Sequence, residues 1–455
     1  MSPPARVDVV VVGAGAAGCV MARRLAEAGA DVLLVEAGAE RAPSRAGVLD
    51  VGPDSKVVTR YRAGLGDGVV ELPRGRTLGG SGAVNGGYCL PARPADLAAW
   101  GPDWPRRYRV GLARAAERLR PRLAPMGAVA SRLARAFPAE VTAVPQARAG
   151  SRRVTAFDAW DPAGAGARVI TGARVRELRW AGGRPGGRCD GVVLDDDEEV
   201  AAREVILCAG TIATAAILFA SGVGEPSGHP VGRGVQEHPE LLLDLYPDAP
   251  NGPTADRSGG FDPATPPGPS DPGGSLPPLL THVVRLRREE SADRWSAPGQ
   301  PGGAPEVEVR PYSVPLHRVI PGLAPQPHRI GLALMNPRGR GGISPGRDGV
   351  RVDMSDDRRD AAVLRDAATA VAHRLGLSGA DEILERSVVR STSHHLAGSA
   401  RIGAVVDGSG RVLDVPGLRV ADASVFPFLP RSGPYYSVLA VAEDLAARVL
   451  TQRTW

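Results

Sequence analysis

Val7-Asp-Val-Val-Val-Val-Gly13-Ala-Gly15-Ala-Ala-Gly18, continuing through Cys19–Ala28 to Asp31-Val-Leu-Leu-Val-Glu36, decides the fold. Residues 7–12 are a β-branched run of the kind that fills a buried parallel strand. Glycines break the run at once, a helix-forming stretch with apolar periodicity follows, Gly29 stops it, and a second strand ends at Glu36. Strand, turn, helix and strand within about 30 residues make a βαβ unit, hence a parallel sheet with a right-handed crossover. Gly13 makes the tight turn, Gly15 lets a pyrophosphate approach the backbone at Gly15-Ala16, and Gly18 lets the helix pack on the strand, with the helix N-terminus facing the phosphates. Glu36 is placed for the ribose hydroxyls of a bound dinucleotide. An acid there opposes a 2′-phosphate, so NADP fits least; FAD and NAD both remain open.

Outward from this unit, Glu204-Val-Ile-Leu-Cys208 runs into Ala209-Gly210 and a helical stretch from Ile212 to Ala220. Leu418-Arg-Val-Ala-Asp422 reads as another strand, and Val438 to Leu450 as an amphipathic helix. The two ends of the chain therefore build one discontinuous domain. Residues 248–278 are rich in Pro, Gly, Asp and Ser and read as a long surface loop. Glu306–Arg310 and Ile330–Leu334 alternate as antiparallel strands do, and residues 356–376 look helical. The expected fold class is α/β: a Rossmann-like domain from residues 1–95, 165–245 and 390–455, and a smaller α+β substrate domain, built on an antiparallel sheet, from 96–164 and 246–389.

A length of 455 residues suggests two or three domains. The hydrophobic fraction of 43% and charged fraction of 23% exclude wholesale disorder. Lys+Arg 55 against Asp+Glu 50 gives a net charge of +5. The arginines are dispersed, however, and Arg285-Leu-Arg287-Arg288 is followed at once by Glu289-Glu290, so no nucleic-acid footprint is expected. Cys19, Cys89, Cys189 and Cys208 form no CxxC pair and no metal-ligand spacing, so reduced thiols and no metal are expected. No apolar run reaches the roughly 18 residues of a membrane span, and no signal peptide precedes Val7. The expectation is a cytoplasmic protein, peripheral to the membrane if it serves a respiratory acceptor.

Pro73-Arg-Gly-Arg76-Thr-Leu-Gly79-Gly80-Ser81-Gly-Ala-Val-Asn85-Gly86 narrows the reading. Its backbone amides and the Ser81 hydroxyl suit an anion nest, and Asn85 can present its amide to flavin or phosphate. The stretch resembles the first signature of the glucose–methanol–choline (GMC) flavin oxidoreductases. Three further stretches resemble that family in its order: Cys208-Ala209-Gly210-Thr-Ile-Ala with Ser221-Gly-Val-Gly224; Val231-Gly-Arg-Gly-Val-Gln-Glu-His-Pro239; and His394-His395-Leu-Ala-Gly-Ser-Ala-Arg-Ile-Gly403 with Leu418-Arg-Val-Ala-Asp422-Ala423-Ser-Val425. The resemblance implies FAD, with adenine met by backbone at Val175 and further contacts from Gly433 and Pro434. Within the family, Asn85-Gly-Gly-Tyr88 and Pro430-Arg-Ser-Gly-Pro434 resemble the short branch associated with the redox peptide mycofactocin.

The implied reaction is oxidation of an alcohol by hydride transfer to flavin N5, with a histidine base. Histidine suits that task because its ordinary pKa lies near working pH. Among the eight histidines, His395 aligns with the family's catalytic histidine. His394 reads as a neighbour and His238 as a capping or core residue. Two departures from the family matter. Val84 stands where histidyl-linked members carry histidine, so FAD is expected to be noncovalent. Gly433 stands where the family has a second catalytic His or Asn, leaving Ser432, Tyr435 and Tyr436 as nearby polar candidates. The expected electron acceptor is quinone-like, a protein, or oxygen. The competing readings are a non-redox lyase, like the family's hydroxynitrile lyases, and a flavin-binding protein that has lost catalysis.

Overall fold

The computed structural model describes residues 4, 6–43, 45–66, 68–138, 141–245, 278–288, 295–296, 304–347, 349–377 and 388–452. Most of the Pro/Gly-rich stretch at 248–278 lies outside these residues.

The valine run forms the strand Arg6–Val12, with Val9, Val10 and Val11 fully buried. It pairs in parallel with Val32–Glu36 on one side and Glu199–Leu207 on the other. Arg168–Thr171 extends the sheet beside Val32–Glu36, and Leu418–Val420 pairs in parallel with the C-terminal half of Glu199–Leu207. Cys189–Leu194 and Val175–Trp180 continue it in antiparallel fashion. These seven strands are the Rossmann-like sheet expected from the sequence. The helix Ala16–Glu27 buries Ala17, Val20, Met21 and Leu25 in the adjoining core.

The second large sheet is antiparallel. Its order runs Trp295–Ser296, His282–Arg288, Glu306–Pro311, Arg329–Leu334, Pro239–Asp244 and Val388–Thr392, with Val141–Ala143 beside His282–Arg288. The helix Arg358–Arg374 buries Val363, Leu364, Ala367 and Val371 in this sheet's core.

Several elements cross the expected domain boundaries. Pro239–Asp244 and Val388–Thr392 belong to the antiparallel sheet rather than to the Rossmann-like part. A five-stranded sheet joins Val58–Leu65, Gly68–Gly75 and Arg233–Val235 to Gly341–Gly346 and Gly349–Met354, which were placed in the substrate domain. The helix Trp104–Leu119 packs on Pro434–Thr451, and Ala156–Trp160 packs on Ala16–Glu27, so both stand with the dinucleotide core. The reason is visible in Trp104–Leu119: it buries Tyr108, whose hydroxyl hydrogen-bonds Ser437, and its Gly111 lies so close to the second helix that a Cβ would meet the Ala440 carbonyl oxygen at 2.0 Å.

Candidate active site

The glycine turn is built as its spacing predicts. Gly13 has φ +97° and lies against the Cys208 carbonyl; an added Cβ would meet that oxygen at 2.7 Å. A Cβ on Gly18 would sit 1.8 Å from the Gly13 carbonyl oxygen, so only glycine lets the helix approach. Gly15 differs: among the described residues beyond its own neighbours and helix, the nearest atoms to a Cβ placed there are the Cys208 carbonyl oxygen and the Gly80 Cα, both at 3.9 Å. It caps the helix beginning at Ala16, which carries no side-chain cap and no acid in its first turn. That leaves free N–H groups and the positive end of the helix dipole facing open space.

Glu36 is buried and clamps the turn, accepting the Ala14 N–H on Oε2 and the Gly38 N–H on Oε1, both at 2.9 Å. Burial raises its pKa; the two amides and the nearby Arg76 work the other way. Each oxygen has accepted one hydrogen bond and keeps capacity for a ribose hydroxyl. Ala173 donates its N–H to the Glu36 carbonyl, which brings the segment leading into Val175 alongside.

The second glycine-rich loop meets the first. Gly79 donates its N–H to the Ala14 carbonyl at 2.8 Å, and Gly80 faces Gly15 so closely that a Cβ would meet its Cα at 2.7 Å. The Ser81 hydroxyl accepts the Gly75 N–H. Asn85 Oδ1 accepts from Gly87 N–H and from Arg153, so its amide –NH₂ is the group left for a ligand. Gly86 serves packing instead, because the Tyr88 ring lies where its side chain would be. Val84 is buried and apolar at the position of histidyl linkage.

A third segment closes the ring. Gly210 donates its N–H to Asp422 Oδ2, which also accepts from Thr214 Oγ1, both at 2.7 Å. Oδ1 accepts the Ser424 N–H and the Ser424 hydroxyl. The Asp422 carboxylate is thus spent on joining two loops, which leaves backbone at Asp422 and Ala423 for a ligand. Gly398 N–H donates to the Ala423 carbonyl, and Thr211 Oγ1 donates to that of Leu396, so the histidine loop is tied to the same corner.

His394 has φ +61°, the left-handed region, which turns the chain sharply before His395. The residue keeps an exposed surface, while desolvation by the surrounding protein, and then the Arg74 cation, lower its pKa. The His395 N–H donates to Glu237 Oε1 at 2.7 Å, and that oxygen also accepts the His238 N–H. His395 Nδ1 lies 2.9 Å from His238 Nδ1, the rings crossing edge to face at 86°. Burial, then His238 and Arg310, hold the His395 pKa well below the usual histidine range. Arg310 itself is anchored: Nη1 donates to Glu240 and Ser393, and Nε to Glu308, while Tyr312 donates to the other Glu240 oxygen. Two buried carboxylates thereby keep this guanidinium charged beneath the histidines.

On the other side of His395, a Cβ built on Gly433 would stand 3.5 Å from Nε2. Residue 433 thus faces the histidine, and glycine leaves a gap between them. Gly433 caps the helix Pro434–Thr451, with Pro434 as its first residue. Ser432 is fully buried, and neither its hydroxyl nor that of Tyr435 has a hydrogen-bond partner among the described residues. The Tyr435 ring lies over Gly82 in the glycine-rich loop. Tyr436 turns into the main core.

The structure therefore gathers the fingerprint, the Gly79–Ser81 loop, Gly210, His395 and Gly433 around one region. It also adds two residues. Arg153, buried, reaches Asn85 Oδ1, the Gly82 carbonyl and the Val48 carbonyl. His238 is in the core, as expected, yet its ring meets His395 directly, which corrects its reading as a residue apart from the site. No sequence spacing marked Arg153; His238 sat in plain view within a matched stretch.

The pattern of the GMC oxidoreductase N-terminal region matches residues 7–128 and 139–240, and that of the GMC oxidoreductase C-terminal region matches 343–442. The chain belongs to the GMC oxidoreductase family, flavoproteins that bind FAD. An uncharacterized GMC-type oxidoreductase of Rhodococcus erythropolis is 30% identical over 97% of this chain and 98% of its own length. Pyridoxine 4-oxidase of Microbacterium luteolum is 27% identical over 97% of this chain and 99% of its own. Among solved structures, pyridoxine 4-oxidase from Mesorbium loti superposes with a TM-score of 0.75 at 22% identity, covering 98% of this chain and all of the other. The open cradle at Gly15, the uncapped helix start and the spare capacity on Glu36 fit the FAD of this family.

Proposed function

We propose that this chain oxidises an alcohol, with His395 as the base that takes the hydroxyl proton at Nε2. The supporting observation is the gap between His395 Nε2 and Gly433, with the other ring nitrogen already engaged. Bound FAD supplies the hydride acceptor. The chain's own residues hold it: the amides at Gly15-Ala16 and Gly79-Gly80-Ser81 take the pyrophosphate, Glu36 the ribose, and Asn85, Arg76, Gly210 and Ala423 line the remainder. Val84 offers no nucleophile, so the FAD is noncovalent and acid precipitation leaves it in the supernatant. Its surroundings hold His395 in the neutral form before the reaction, so that Nε2 can take the proton. The Ser432 hydroxyl is the candidate donor to the substrate oxygen, in place of the side chain absent at 433.

For the acceptor we favour a quinone-like carrier or a protein, because Gly433 leaves room beside the base and two short stretches resemble the mycofactocin branch. Oxygen is the second reading, favoured by the names of two relatives, pyridoxine 4-oxidase and the 5-(hydroxymethyl)furfural oxidase of Methylovorus, the latter 31% identical over 56% of this chain. Anaerobic mixing of the FAD-loaded protein with pyridoxine, 5-(hydroxymethyl)furfural and benzyl alcohol tests the reaction class. Bleaching of the flavin by one of these supports oxidation. Release of cyanide from an added cyanohydrin such as mandelonitrile, without bleaching, points to the lyase reading, and silence with all of these to a protein that has lost catalysis.

A further inference from the structure

A base at His395 Nε2 requires a bare lone pair there, and an imidazole has that choice made for it by whatever its other nitrogen touches. Here the partner is another imidazole, so the two rings must divide one hydrogen between them. Both are neutral: burial and the Arg310 charge disfavour the imidazolium form of each, taking His238 down to about 3. With Nδ1 facing Nδ1 at 2.9 Å, one ring carries Nδ1–H and the other must present a lone pair.

The surroundings of His238 decide which. Its Nε2 makes no hydrogen bond of good geometry, yet the carbonyls of Met335 and Pro430 lie close enough to favour a hydrogen on that ring. Because Nδ1 already faces His395, Nε2 is the nitrogen left for these carbonyls, and an N–H there suits oxygen acceptors better than a lone pair does. His238 therefore carries its hydrogen on Nε2 and offers a lone pair at Nδ1. The neighbouring Glu237 Oε1 does not compete, since it accepts the two backbone N–H groups of His238 and His395.

We propose that His238 is the positioning residue of the site: it accepts the Nδ1–H of His395 and thereby leaves Nε2 of His395 bare on the side facing Gly433. The opposite arrangement would place a hydrogen on His395 Nε2 and convert the base into a donor. The buried edge-to-face contact also fixes the ring plane, so direction and tautomer are set together. This role rests on the reading of His395 as base, but the tautomer can be read without any turnover.

The deciding measurement is a long-range proton–nitrogen correlation spectrum of the FAD-loaded protein with ¹⁵N-labelled histidine, His395 being assigned by its loss in His395→Gln. The expected result is His395 protonated on Nδ1 and bare on Nε2, with His238 the reverse. A hydrogen on His395 Nε2 in the parent overturns the proposal, whatever the kinetics. The second arm uses two variants at one position. His238→Leu fills the volume without an acceptor and is expected to slow anaerobic flavin reduction roughly 10–100-fold, the usual cost of losing a partner that orients a functional imidazole. His238→Asn, whose side-chain oxygen can take the same hydrogen, is expected to recover most of that loss and keep the Nδ1–H signal. Equal rates for the Leu and Asn variants, or a Leu variant as fast as the parent, overturn the proposal. If instead His395→Ala reduces flavin as fast as the parent, the base reading fails while the tautomer spectrum still stands.

Discussion

His395→Ala removes the proton acceptor and leaves the glycine cradle untouched. It is expected to slow flavin reduction by roughly 10²–10⁴-fold, the usual weight of general-base catalysis, at unchanged FAD content. Single-turnover stopped-flow absorbance checks both. Glu237, one residue before the positioning histidine, carries a pH signature. Burial lifts its pKa from 4.5 to about 7, against the pull of Arg74 and of the His395 and His238 amides. The folded chain thus keeps a proton that the unfolded chain releases between these values. That contribution to stability is complete below pH 4.5 and is lost as pH rises through 7, a change of up to about 3 kcal/mol. Glu237→Gln keeps an acceptor oxygen without the charge. Thermal melts from pH 5 to 8 are expected to show the parent losing stability relative to the variant as pH rises; parallel curves would refute it. At this scale the sequence was half legible. His395 was marked by its motif, whereas the partner that orients it is 157 residues away and meets it only through the fold.

The fingerprint turn separates two duties that one motif carries. Gly18→Ala forces a Cβ into the Gly13 carbonyl, whereas Gly15→Ala meets nothing nearer than 3.9 Å and has an unstrained φ of −75°. Gly15→Ala is therefore expected to melt like the parent but to purify with little FAD, while Gly18→Ala loses both stability and flavin. Thermal melts with flavin fluorescence distinguish them. The βαβ unit was legible because Val9 to Val11 and Leu33 to Leu34 are unbroken apolar runs, buried on both faces. The five-stranded sheet was not. Val58–Leu65 buries only Ala63 and Leu65, and Gly68–Gly75 only Leu72, so neither shows clean alternation.

Across the molecule, the open side of His395 and the acceptor question are linked. Gly433 places no side chain against His395 Nε2, and the proposed carrier larger than oxygen rests on that. Reduced protein mixed with air-saturated buffer is expected to re-oxidise more slowly than it turns over, and a soluble quinone to restore the flavin rapidly. Re-oxidation by air as fast as turnover would make this an oxidase. The antiparallel sheet was foreseen from Glu306–Arg310 and Ile330–Leu334, but its borders were not, because Pro239–Asp244 leaves the parallel half and enters the other sheet without a break in the chain.

The strand Leu418–Val420 completes the parallel sheet beside Glu199–Leu207, more than 400 residues after the valine strand Arg6–Val12. At about 5–20 residues per second of synthesis, the newborn fingerprint waits on the order of 20–80 s for that neighbour. From the time Glu199–Leu207 is made until Leu418–Val420 follows, its edge lacks that neighbour, and Trp104–Leu119 lacks the helix Pro434–Thr451 that later covers it. The corner that receives the flavin joins Gly13–Gly18 and Gly79–Ser81 to Gly210 and to the segment from Asp422 to Gly433, so it is complete only once the last of these has been made. Loading is therefore a late event in the making of the chain, and Leu418–Val420 closes a sheet edge that stays bare until then.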